Sequence, residues 1–199
     1  MSRRLAPALA LGAALSACII DAPTGGNTQS GSTPDRPRMT APNLGPVTVR
    51  LGALLARATP DSDASGDDKV ELVSATFQPP QLIPGDQMKI VLQFRVVDVI
   101  PEDYIVFVHV EDLDGKLDRI NVDHRPMGGN YPTTQWKKGE VVRDEFGFGV
   151  PTGLPIRGVN IFAGLWDPRA DRRMKLRNPA AVRNDGADRI LLATIPVAQ

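Results

Sequence analysis

The densest run of chemistry-bearing side chains in this chain lies between Asp123 and Asp144. Tyr131 and Trp136 could supply flat stacking surfaces there, with Asp123, His124, Asn130 and Gln135 offering directional hydrogen bonds. An apolar face combined with a few placed polar groups is what a sugar ring requires. The pair Gly128-Gly129 permits positive φ and a close backbone approach. A simpler reading competes and is preferred: a long crossover loop, shaped by Pro126, Pro132 and the glycines, whose Trp136 plugs one end of a β-sandwich. Loops of about 15 residues in compact domains often carry function, so the binding reading stays open beside it.

The two histidines, His109 and His124, have Asp112, Asp114, Asp118 and Asp123 as sequence neighbours. They could be imagined as a metal site or as the acid–base pair of a hydrolase. If the chain turns at Asp114-Gly115, His109 falls opposite Ile120 and Glu111 opposite Asp118. The histidines are then not cross-strand partners, which is a thin basis for zinc. The run Asp112-Leu113-Asp114-Gly115-Lys116-Leu117-Asp118 lacks the later bidentate glutamate of a calcium loop, and Asp-Gly explains itself as a hairpin turn. There is no Gly-x-Ser-x-Gly elbow, His-Glu-x-x-His pair or phosphate-binding loop. Trp166-Asp167-Pro168-Arg169 and Asp171-Arg172-Arg173 read as a strand end and a solvated charged turn. Neither a cofactor nor a metal is expected.

The elements that must position these residues have the period of strands. Met88, Ile90, Leu92, Phe94 and Val96 alternate with Lys89, Gln93 and Arg95. Further strands are expected over 70–77, 104–111, 117–124, 140–150, 158–166 and 188–197, with Val142, Phe146, Phe148 and Val150 inward in the fifth of the seven. Val159, Ile161, Ala163 and Leu165 should point inward in the next, and Leu191, Ala193, Ile195 and Val197 in the last. About seven strands without a long amphipathic helix predict an all-β fold, an antiparallel immunoglobulin-like β-sandwich. A jelly roll or open barrel is the alternative.

Upstream of that body the composition changes. Residues 19–46 are rich in Pro, Gly, Ser, Thr and Asn, too polar to offset chain entropy by burial. Residues 47–58 form an apolar island that could be a strand, a short helix or part of a tether; 59–68 again read as linker. The expected organisation is a leader over 1–17, a mostly disordered tether over 18–68 and a sandwich over 69–199. Some 28 flexible residues would reach roughly 30 Å.

Cys18 is the only cysteine of the 199 residues. It follows Arg3-Arg4 and an apolar run from Leu5 to Ala17, the pattern of a cleaved secretory signal and too short to span a bilayer, which takes about 20 residues. Leu15-Ser16-Ala17-Cys18 resembles the lipobox of bacterial lipoproteins, which implies cleavage before Cys18 and its lipidation. Ile19, in place of Asp, resembles lipoproteins sent to the outer membrane. The chain carries 23 basic and 23 acidic residues, so no cationic excess favours nucleic acid or anionic lipid.

A second resemblance covers residues 70–197. It is carried by Phe107-Val108-His109, by Asp123-His124-Arg125-Pro126, by Gly128-Gly129-Asn130-Tyr131-Pro132-Thr133 and by Trp136, Gly139-Glu140 and Gly164-Leu165-Trp166-Asp167. These stretches resemble the accessory β-sandwich domain appended to some bacterial membrane glycosyltransferases and found in some envelope proteins. The resemblance implies an extracytoplasmic sandwich with no chemistry of its own. Together these readings describe a membrane-anchored, non-catalytic envelope lipoprotein presenting a binding or assembly surface to an envelope protein or glycan. The alternatives are a carbohydrate-binding module centred on Tyr131 and Trp136, and a hydrolase.

Overall fold

A computed structural model describes residues 45–59 and 62–198 of the chain. The expected leader, the expected lipidation residue Cys18 and the first part of the expected tether lie outside the described residues. Among the described residues, ten strands follow in order: β1 (Val47–Thr59), β2 (Ser62–Gln78), β3 (Gln87–Val96), β4 (Ile105–Asp112), β5 (Ile120–Asn121), β6 (Val141–Gly149), β7 (Gly158–Asp167), β8 (Arg172–Arg173), β9 (Lys175–Leu176) and β10 (Ile190–Pro196). One sheet runs β6-β3-β2-β1-β9; the other runs β10-β7-β4-β5, with β8 paired to β7. All these ladders are antiparallel. The two sheets enclose one core, and the fold is the immunoglobulin-like β-sandwich that the strand pattern predicts.

Alternation explains the inner faces. Met88, Ile90, Leu92 and Phe94 of β3 are fully buried, while Lys89, Gln93 and Arg95 between them are exposed. From the second sheet, Val106, Val108, Ile161 and Leu165 meet them. Burying a side chain the size of Phe94 stabilises by roughly 1.5–3 kcal/mol.

The sandwich begins at Val47, not near Lys69, which corrects the expected tether boundary. β1 pairs with β2 along its length and with β9, and it buries Ala53 and Leu55 completely. Its strand character was masked by an irregularity. The register with β2 shifts between Arg50 and Ala53, and Gly52 sits there at φ +61. A bulge of this kind swaps the faces of the residues beyond it, so a period of two is lost. Asn178 satisfies the backbone the bulge frees: its Oδ1 accepts from Leu54 N at 2.9 Å, and its Nδ2 donates to Gly52 O at 2.8 Å.

Two further departures have local causes. The return strand expected over 117–124 shrinks to β5, and His109 pairs with Asn121, one residue away from the expected Ile120. The Asp112 carboxylate accepts from the backbone N–H of Asp114, Lys116 and Leu117, so the connection closes as a wide side-chain-capped loop and not as a two-residue turn. In β10 the register with β7 shifts between Leu191 and Ala193. Leu192 is therefore buried, and Leu191, expected inward, lies half-buried opposite Phe162 on the outer side.

Candidate functional site

The structure scatters the six residues proposed from sequence. Trp136 is 3% exposed and packs on Phe94 with ring centroids 5.5 Å apart. Its Nε1 donates to Tyr131 O at 3.1 Å. The Tyr131 hydroxyl donates to Glu140 Oε2 at 2.9 Å and lies 3.0 Å from Gln135 O. Asn130 is exposed, and its Nδ2 reaches only Met127 O, at 3.2 Å. Gln135 is also exposed. The buried Thr133 takes Tyr104 N at 2.8 Å and gives its own hydroxyl proton to Glu102 O at 2.7 Å. The loop is thus a packed plug, and Trp136 has no free face on which a sugar could stack. The Tyr/Trp-loop reading is corrected on that ground.

Asp123 and His124 are adjacent in sequence but serve opposite sides of the second sheet. His124 turns into the sandwich, where its Nδ1 donates to Val122 O at 2.8 Å and its Nε2 meets Asp144 Oδ2 at 2.8 Å. Its ring lies 4.2 Å from that of Phe146. Asp144, on β6 of the first sheet, has no exposed surface, and its Oδ1 accepts from Met127 N at 2.7 Å. Burial pushes the His124 pKa down, but its hydrogen bonds to Asp144 and Val122 and the carboxylate charge outweigh that and hold it above the ordinary histidine value. This pair pins the two sheets together across their edge.

His109 points the other way. It is 5% exposed on the outer face of β4, and Arg189 lies 3.3 Å from its Nδ1. A guanidinium can only donate, so Nδ1 holds the lone pair and Nε2 carries the hydrogen. Burial, then the Arg119 charge, push the His109 pKa below its usual value, in keeping with a neutral ring. The two histidines therefore do not converge. Among the described residues, no group of three or more His, Cys, Asp or Glu side chains is arranged to hold a metal.

The outer face of the second sheet carries a feature that sequence reasoning missed. Phe107, His109, Arg119, Asp123, Trp166, Asp171 and Arg173 line an open groove of about 200 Å³. Register places Phe107 opposite Gly164, and Ile105 opposite Trp166, on the face turned away from the core. A Cβ on Gly164 would sit 2.5 Å from Phe107 Cζ, so only glycine lets that ring lie flat across β7. Arg173 covers the ring, its Cζ 5.1 Å from the centroid, and donates to Ala187 O at 3.1 Å. Trp166 is half-buried and oriented by a 3.1 Å hydrogen bond from its Nε1 to Asp171 Oδ1. Across the groove, Asp123 Oδ1 accepts from Val108 N at 2.9 Å and stands 3.8 Å from His109 Nε2. Arg119 is exposed and forms no salt bridge with a described residue. One signal was present in the sequence. Once Val106, Val108, Ala163 and Leu165 face inward, Phe107 and Trp166 must face outward, where large aromatics call for an explanation.

No family model matches the chain, and no curated protein matches it. A solved structure similar to it is the C-terminal domain of Wzt, at 16% identity and a TM-score of 0.43, covering 75% of this chain and 83% of that one. The accessory-domain resemblance extends to fold class, a β-sandwich.

Proposed function

We propose that the protein is a non-catalytic, membrane-anchored envelope lipoprotein whose sandwich displays a binding surface, and that the surface is the outer face of the second sheet around Trp166. The groove carries the reading. It gathers an oriented half-exposed indole on β7 with an arginine that forms no ion pair with a described residue and two exposed carboxylates, Arg119, Asp123 and Asp171 standing on the connections beside the strands. The anchor rests on Cys18 behind its short apolar leader, and outer-membrane placement rests on Ile19. The polar stretch over 19–44 would let the sandwich stand clear of the bilayer.

Two measurements test this. Cys18→Ser should release the protein from the membrane fraction, and a variant that stays membrane-bound and processed as before would overturn the anchor. A photo-crosslinking residue at position 166 should trap an envelope component in living cells. The same residue at Gln93, on the outer face of the first sheet, should trap none. Identical adducts from both positions, or none from 166, would count against the surface.

A further inference from the structure

The groove also carries the class of its ligand. Trp166 presents the one large aromatic surface still reachable, because Phe107 is sealed by Arg173 above and β7 below. Around that indole the polar groups still uncommitted alternate in kind. Arg119 keeps all its N–H donors, and His109 Nε2 carries a hydrogen that Asp123, at 3.8 Å, is too distant to accept. Asp123 and Asp171 have each spent one carboxylate oxygen, Asp123 on Val108 N and Asp171 on the Trp166 indole, and each keeps the other as an acceptor.

The charges lining the groove cancel. Arg119 and Arg173 stand against Asp123 and Asp171, and His109 is neutral. An anionic ligand would meet two carboxylates, and a cationic one would meet two guanidiniums. A pyranose ring has neither problem. Its apolar face stacks on an indole, and each hydroxyl both donates and accepts, so neighbouring hydroxyls can bridge an arginine and an aspartate. An open groove admits a chain running through it, where a closed pocket would hold only a single sugar.

We infer that this groove binds an uncharged saccharide, with one ring stacked on Trp166 and its hydroxyls held between Arg119, Asp123 and Asp171. The inference rests on the reading of this face as the display surface. The full lipidated chain in detergent would be titrated with neutral hexose oligosaccharides and with uronic-acid oligosaccharides of matching length. At least one neutral oligosaccharide should bind, with saturation-transfer signals from the sugar and quenching of tryptophan fluorescence. Trp166→Ala and Arg119→Ala should each weaken it by roughly tenfold. Arg119 is exposed, so its variant keeps the test valid if Trp166→Ala unfolds. Gln93→Ala should change nothing.

Absence of neutral-sugar binding up to about 1 mM would overturn the inference, as would binding by the uronates alone. Sugar binding that survives both groove variants would overturn the assignment of the site. If no sugar binds but position 166 still traps a protein in cells, the saccharide inference fails and the display-surface reading stands. If neither occurs, both fail.

Discussion

His124 Nε2 and Asp144 Oδ2 lie 2.8 Å apart, and they join the two sheets of the sandwich through a carboxylate that has no exposed surface. Both ring nitrogens of His124 face acceptors, Val122 O on one side and Asp144 on the other. The arrangement is therefore complete only when the imidazole is charged.

A pH dependence follows with a definite sign. The folded-state pKa of His124 is raised, so its contribution is fully present below the ordinary histidine value of about 6.5. It is lost as pH rises through the folded-state value. Urea denaturation across neutral and mildly alkaline pH should show stability falling, and His124→Gln should flatten that fall. His124→Ala leaves the Asp144 carboxylate buried with only Met127 N as partner, and should cost about 3 kcal/mol. A stability curve that rises over the same window would refute the ion pair.

The N-terminal limit of the fold can be tested by truncation. A chain starting at Lys69 lacks β1, which uncovers one edge of β2 and removes the buried Ala53 and Leu55. It should be insoluble or unfolded, whereas a chain starting at Gly45 should fold cooperatively. Within the full chain, Asn178→Ala leaves Leu54 N and Gly52 O without their partners and should cost about 1–3 kcal/mol. Equal stability of the two truncated chains would place β1 outside the cooperative unit.

Gly164→Ala should destabilise by about 1–3 kcal/mol, because the new methyl meets Phe107 Cζ at 2.5 Å and Asp188 O at 3.3 Å. The ring must tilt, and Arg173 must move with it. Near-ultraviolet circular dichroism and denaturant midpoints would register both effects, and an unchanged midpoint would mean that Phe107 does not lie over β7.

The two tryptophans should separate stability from binding. Trp136→Ala empties a core position beside Phe94 and should cost about 3–5 kcal/mol. Trp166→Ala removes a half-buried surface ring and should cost less, yet weaken ligand binding on that face by roughly tenfold. Thermal melts read against binding titrations would decide. Loss of binding in a folded Trp136→Phe variant, with none in Trp166→Ala, would return the site to the 126–136 loop.

Much of this was legible in the chain itself. The alternation from Met88 to Val96 and from Val142 to Val150, broken only by Val91 and Asp144, assigns inner and outer faces, because the side-chain period of a strand is two. The antiparallel sandwich class follows from seven such segments separated by turns. The single cysteine behind a short apolar run also needs no structure to be noticed. Alternation failed where the backbone departed from it, at Gly52 and at Leu192, since one extra residue exchanges the faces.

The site was a different matter. Periodicity says which side of a strand a residue takes, but it is silent on which strands are neighbours and at what offset. Only the register of β4 against β7 sets Phe107 over Gly164, and only that sheet brings Trp166 to the same groove as Arg119 and Asp123. Trp136 stands among polar loop residues and Trp166 ends an apolar strand, so sequence alone would more readily bury the second. Long-range packing buried the first against Phe94 and left the second facing outward, because the loop carrying Trp136 folds back over the open end of the core while β7 turns that side of Trp166 away from it.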